Sequence, residues 1–285
     1  LGDVYKRQIY GALTILPVAA IARDHFGKAA GVIAAWLIAF MPAHVTHSTW
    51  GLADHDSFVM LFIAIGFMFY LRAVKYAGSE RLVRTTSIRP LDMLRAMGAV
   101  ARERQYAMAN AVLAGVAFGA ASLGWKGFVV GPAILFLAYA AQVALNMFRR
   151  RDSTILSTLF LTMLLTNLLI ALPFYAHPQM NLMLDGSGLQ PFLFILLFTV
   201  VIMYITTGFR DKPWLLVLGT LAVGAVAFLG ALWVLKYFNL SNAWDVLFTG
   251  GGYFTKTKIF GTVAEANAPD RGYMFASFGP IVFVF

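Results

Sequence analysis

The chain has 285 residues, 60% hydrophobic and 12% charged, with a mean hydropathy of +0.75 and a formal net charge of +9. A soluble domain carries about 25% charged residues, so this composition excludes a soluble enzyme and indicates a polytopic membrane protein. The absence of cysteine excludes a disulfide framework and a thiolate metal site.

In chain order, residues 1–8 (LGDVYKRQ) have neither the apolar core of a signal peptide nor a strand or helix pattern, and they read as a non-native or disordered leader. Residues 9–285 read as one membrane domain. The apolar runs predict spans over 9–23, 28–49, 57–77, 106–123, 127–148, 154–175, 190–208, 213–236 and a truncated one over 272–285. A span needs about 20 apolar residues, and helices satisfy every backbone group within the segment. The expected fold is therefore all-α, a transmembrane bundle of about nine spans. It reads as cut at both ends, since the first residue is Leu1 and the last apolar run stops at Phe285. Gly115 and Gly119 share one helix face and predict a close helix crossing, and Gly219 and Gly224 make a weaker case. Asn110, Gln142, Asn146 and Asn167 are expected to hydrogen-bond between helices.

Two loops stand out. The first is Gly51-Leu52-Ala53-Asp54-His55-Asp56, a short break between two apolar runs. Each acid would cost about 2.5–3.5 kcal/mol at the centre of a membrane helix, a cost largely avoided at the boundary. Asp54 and Asp56 offer hard oxygen ligands suited to Mg²⁺ or Mn²⁺. They equally suit a helix N-terminus, where a carboxylate meets free N–H groups. His44 and His47 precede this loop at helical spacing and read as interfacial polar residues. The second loop, 237–271, contains Gly250-Gly251-Gly252 and closes with Thr262-Val263-Ala264-Glu265. Long loops without secondary structure are commonly functional or disordered.

Basic residues orient the chain. If Asp54 faces outside, alternation puts Arg23, Lys28, Arg72, Lys75, the arginines of 77–105, Arg149–Arg151, Arg210 and Lys212 inside. Lys126, Lys236, Lys256, Lys258 and Arg271 are left outside with Lys6 and Arg7. That is a positive-inside bias, and it puts Glu265 on the side of Asp54 and Asp56. The basic residues are split among short loops and lack base-stacking aromatics, so no nucleic-acid partner is expected. The loop 77–105, rich in arginine, is expected to set topology and meet anionic headgroups of the lipid bilayer.

The loop Gly51–Asp56, with Ala39-Phe40-Met41-Pro42-Ala43-His44 before it, resembles the acidic motif in the second external loop of the catalytic subunit of oligosaccharyltransferase. Arg23-Asp24-His25-Phe26-Gly27-Lys28, Trp125-Lys126-Gly127 and Thr262-Val263-Ala264-Glu265 are similar to further family motifs, in the same order and on the same sides. Archaeal and bacterial single-subunit members are the nearest in pattern. The resemblance implies a GT-C membrane glycosyltransferase of the cell membrane, with its active site on the external face. Such an enzyme moves an oligosaccharide from a polyisoprenyl phosphate or pyrophosphate to Asn of an N-X-S/T sequon in an acceptor polypeptide. It also implies that Asp54, Asp56 and Glu265 are catalytic and bind Mn²⁺ or Mg²⁺, with Thr262 and His55 near the substrate. The family's first-loop Asp and Trp-Trp-Asp motif have no counterpart assigned here, so the chain alone is expected to be inactive. Another polyprenyl-phosphate-sugar GT-C enzyme would carry a different first-loop acidic motif and no Thr-x-x-Glu. A secondary transporter would place its acids on broken helices near the midplane.

Overall fold

The computed structural model describes residues 2–48, 56–78, 89–176 and 189–209, together with isolated positions between 219 and 237. Among the described residues every regular element is helical. The chain divides into two units, Leu1–Arg210 and Asp211–Phe285. In the second unit the described positions from Gly219 to Tyr237 are helical, and Trp233 stacks on Tyr237 one turn away, with ring centroids 5.8 Å apart.

The first unit begins with α1 (Gly2–Phe26), α2 (Lys28–Phe40) and α3 (Pro42–Ser48). The helix α1 extends back to Gly2, through most of the segment read as a leader. The span expected over 28–49 is not one helix. It breaks at Met41, whose backbone is extended (φ −65°, ψ 118°), because Pro42 has no N–H to donate and its ring disfavours a helical residue before it. The 13 residues of α2 rise only about 20 Å, short of a hydrocarbon core of about 30 Å.

Next come α4 (Asp56–Ala77), α5 (Pro90–Glu103), α6 (Gln105–Gly124), a 3₁₀ turn (Lys126–Val129), α7 (Val130–Phe148), α8 (Thr154–Tyr175) and α9 (Leu189–Phe209). Five helical stretches among the described residues are long and apolar enough to cross a bilayer: Asp56–Ala77, Gln105–Gly124, Gly127–Phe148, Thr154–Tyr175 and Pro191–Phe209. The chain is thus a multi-pass membrane protein. The segment 77–105, expected to be a loop, contains α5. Asp92, Arg95 and Arg102 interrupt its apolar residues, so no run long enough to span a bilayer marks it.

Packing follows from small residues. A methyl group on Gly115 would stand 2.5 Å from the Met163 carbonyl oxygen and from Thr166 Cβ, and one on Gly119 would stand 2.7 Å from Ile170 Cβ. The helices α6 and α8 therefore cross at the two glycines, as their shared face predicts. In lipid such a close approach is stabilised by dispersion, since apolar side chains gain little by leaving a medium as apolar as themselves. Phe118 fills the groove between Gly66 and Gly131. Behind it Tyr139 stacks on Phe160 at 4.6 Å, and its hydroxyl hydrogen-bonds with Ser157 Oγ at 2.9 Å. The start of α8 is capped by Asp152, whose Oδ1 accepts from the Thr154 N–H at 2.8 Å and from its hydroxyl at 2.7 Å.

The expected interhelical amides are mostly local. Asn110 donates to Tyr106 O (2.7 Å) and Gln142 to Asn146 Oδ1 (3.0 Å), each within its own helix. Among the described residues only Asn146 bonds beyond its own helix, donating to Ser153 Oγ (3.2 Å) just before α8. Asn167 is fully buried and neither amide atom is hydrogen-bonded among the described residues.

Candidate functional site at one end of the bundle

The first turn of α4 sets the position of Asp56. The helix starts at Asp56 itself, which is half-buried. A carboxylate there faces the positive end of the helix dipole. Three other segments converge on that turn. Tyr10 of α1 meets Phe58 edge-on, with ring centroids 5.5 Å apart. A methyl on Gly124, at the end of α6, would lie 2.9 Å from the Phe58 ring and 3.4 Å from Val59. His44 of α3 is 3.1 Å from the carbonyl oxygen of Gly11, close to Tyr10. The rim around Asp56 is therefore built from α1, α3, α4 and the end of α6.

Trp125 follows Gly124 in extended conformation (φ −153°, ψ 135°) and turns the chain into the 3₁₀ segment. Its indole lies against Gly127, where any Cβ would collide with the ring. The Trp-x-Gly spacing thus has a steric reason: only glycine leaves the ring its place. Below this turn the Tyr175 hydroxyl donates to Ser122 O at 3.4 Å, and Phe128 packs between Tyr175 and Phe192 with centroids 5.8 Å from each. The end of α8 and the start of α9 are thereby brought to the same end of the bundle.

The opposite end is basic. Sixteen residues of helix separate Asp56 from Arg72, about 24 Å at 1.5 Å per residue. There Arg72 Nε donates to Asp24 Oδ2 at 2.6 Å, Arg23 pairs with Oδ1 at 2.9 Å, and Lys75 donates to the Asp24 carbonyl oxygen. These bonds tie α1 to α4. Burial pushes the Asp24 carboxyl up, but hydrogen bonds from Arg72 and Arg23, with their positive charges, outweigh it and hold the group below its ordinary value. The acid of the Arg-Asp-His-Phe-Gly-Lys turn is thus a clamp at the far end from Asp56.

Of the predicted site residues, Asp56 is described and sits on this rim. Asp54, His55, Thr262 and Glu265 lie outside the described residues. Among the described residues no group of three His, Asp or Glu side chains converges as a metal site. The donor types expected at the site, carboxylate oxygens without thiolates, suit a hard divalent cation, and the half-buried position of Asp56 at the bundle's mouth suits that chemistry. Tyr10 on the rim has no signature in the sequence, since an aromatic at the edge of an apolar run carries no local sign of its distant neighbours.

Comparison with known proteins adds a relationship. The family described as "Oligosaccharyl transferase STT3, N-terminal" matches residues 8–248. The chain is also 32% identical over 170 residues to "Dolichyl-phosphooligosaccharide-protein glycotransferase 3" of Archaeoglobus fulgidus. That similarity covers 58% of this chain and 17% of the relative's length.

Proposed function

This chain belongs to the oligosaccharyl transferase STT3 family, and from that premise we propose that it serves protein N-glycosylation. It would transfer an oligosaccharide from a polyisoprenyl phosphate or pyrophosphate carrier to the side-chain nitrogen of Asn in an N-X-S/T sequon. The observation that carries this reading is the family match over 8–248, which includes the Asp54–Asp56 loop and the helices that frame it. The similar archaeal protein is named as a dolichyl-phosphooligosaccharide-protein glycotransferase, which supports the same class of donor.

The chemistry requires that the bond between the sugar's anomeric carbon and the carrier's phosphate oxygen breaks while a bond to the amide nitrogen forms. The carrier phosphate leaves as an anion. A Mn²⁺ or Mg²⁺ ion held by Asp54, Asp56 and Glu265 would stabilise that growing negative charge. The amide nitrogen is a poor nucleophile because its lone pair is delocalised into the carbonyl. Carboxylates accepting its N–H hydrogens weaken that delocalisation and take up the proton that must leave. The segment with Thr262 and Glu265 would close over the acceptor, and His55, between the two acids, would help to position them. The acidic end of the bundle would face outside the cell membrane, as the distribution of Lys and Arg favours.

The test is made in the transfer-competent protein that carries this chain. Asp54→Ala, Asp56→Ala and Glu265→Ala should each lower transfer to a sequon peptide by about 10²-fold or more, the scale of losing one transition-state stabiliser. Added Mn²⁺ should partly restore each. Asp54→Asn separates the two roles open to this acid, because Asn caps a helix as well as Asp does. Near-parental turnover of Asp54→Asn and Glu265→Gln at limiting metal would reject the metal-site reading.

A further inference from the structure

The helix α5 joins two membrane helices and carries two opposed faces. Met93, Ala96 and Val100 are buried, on the side that packs toward α6 and α8. The other face shows Leu91, Leu94, Arg95, Gly98 and Arg102, spaced i, i+3, i+4, i+7 and i+11, which is a single helical stripe. Leu91 is 63% exposed and Leu94 64%. With Ala99 these five residues line a shallow depression of about 430 Å³. Gly98 forms its floor, for a Cβ there would meet nothing within 4 Å. Arg95 and Arg102, two turns apart, flank that floor. Among the described residues Arg95 pairs with the Asp92 carboxylate at 3.4 Å, at an exposed position.

Placement decides what covers this stripe. Only Arg104 separates the end of α5 from α6, one of the membrane-crossing helices. The starts of α6 and α8 meet the end of α4 through Ala107, Leu159 and Ala77. The helix α5 is thereby tethered where the bundle leaves the bilayer. At that depth, leucines and arginines sharing one face have a natural complement: a molecule with acyl chains at one end and a negative charge at the other.

We propose that the stripe Leu91–Leu94–Arg95–Gly98–Arg102 of α5 is a binding site for an anionic phospholipid. Arg95 and Arg102 hold the headgroup phosphate over Gly98, and Leu91 and Leu94 enter the acyl layer. The site lies at the end of the bundle remote from Asp56, so it is independent of the transfer chemistry. The bound lipid pins α5, and through it the starts of α6 and α8, to the membrane surface.

The test uses the chain reconstituted in nanodiscs. The sequence has no cysteine, so a nitroxide on Leu94→Cys is the sole label. Its collisions with oxygen should exceed those with an aqueous nickel chelate, as on the lipid-exposed Leu137→Cys, whereas a label on Glu103→Cys should show the reverse. Spin-labelled phosphatidylglycerol should associate in preference to spin-labelled phosphatidylcholine. Arg95→Gln and Arg102→Gln should each reduce that preference about fivefold, and Arg95→Lys with Arg102→Lys should keep most of it. A label at 94 reached mainly by the nickel chelate would put the face in water, and one shielded from both reagents would mean that protein covers it. Either result overturns the proposal without relying on any arginine variant. A preference unchanged in the double Gln variant would overturn it as well.

Discussion

Gly115→Ala tests the crossing of α6 and α8. The new methyl would lie 2.5 Å from Thr166 Cβ and from the Met163 carbonyl oxygen. Carbon atoms prefer about 3.5–4.0 Å, and a backbone oxygen cannot rotate away, so the two helices must part by about 1 Å. Overpacking of this kind costs about 1–3 kcal/mol. Replacing Gly by Ala inside a helix returns about 0.5–1 kcal/mol of backbone entropy, leaving a net loss between about 0 and 2.5 kcal/mol, centred near 1. Gly98→Ala is the matched control. It is the same substitution in a helix interior, with nothing within 4 Å of the new atom, so only the backbone gain remains and the variant should be stabilised by about 0.5–1 kcal/mol. The assay is unfolding of the purified chain in mixed micelles on titration with SDS, followed by far-UV circular dichroism. Opposite signs for the two variants are expected. Equal stabilisation by both would refute the close crossing. The crossing also positions the site, because the end of α6 carries Gly124 against Phe58 and Val59, next to Asp56.

Two further outcomes follow from the ends of the bundle. Because Asp24 is held below its ordinary value of 3.8, the folded state binds this proton less readily than the unfolded chain does. Its contribution to stability is therefore complete above about pH 4 and is lost as pH falls through the lower, folded value; Asp24→Asn should remove about 1 kcal/mol at pH 6 and flatten this acid limb, measured by micellar unfolding between pH 6 and 3. For topology, Lys126→Cys and Thr257→Cys should react with an impermeant thiol reagent applied outside intact cells, while Arg102→Cys and Arg150→Cys should react only after permeabilisation. Labelling of positions 126 and 257 from opposite sides would separate Glu265 from Asp56 and end the shared site.

Local order along the chain was enough for much of the bundle. The runs 57–77, 106–123, 127–148, 154–175 and 190–208 became helices over nearly the same residues, because a segment that must pair its own backbone in lipid responds to the polarity of that segment alone. The Gly115 and Gly119 face was legible for the same reason, since a four-residue spacing fixes a shared side whatever lies opposite. The family was readable from residue types and order, and Asp56 does open α4. Two local rules compete over 28–49: the apolar run favours one long helix, and the missing N–H of Pro42 breaks it at Met41.

Tertiary structure decided everything that depends on which surfaces meet. The arginine-rich stretch 89–104 has no apolar run long enough to cross a bilayer, yet Pro90–Glu103 within it is helical, with Met93, Ala96 and Val100 turned toward the bundle. Nothing adjacent to Asp24 in the chain shows that Arg72, 48 residues away, will hold it. Likewise Tyr10 and Gly124 become neighbours of Phe58 only when α1, α4 and α6 pack. The amides show the same division: Asn110 and Gln142 found partners one turn away, while Asn146 bonded across to Ser153. Polarity and spacing are properties of a segment and act before it has neighbours. Ion pairs, ring contacts and the rim of a site are short-range interactions between segments distant in sequence, so their identity exists only once the helices have been brought within a few ångströms of one another.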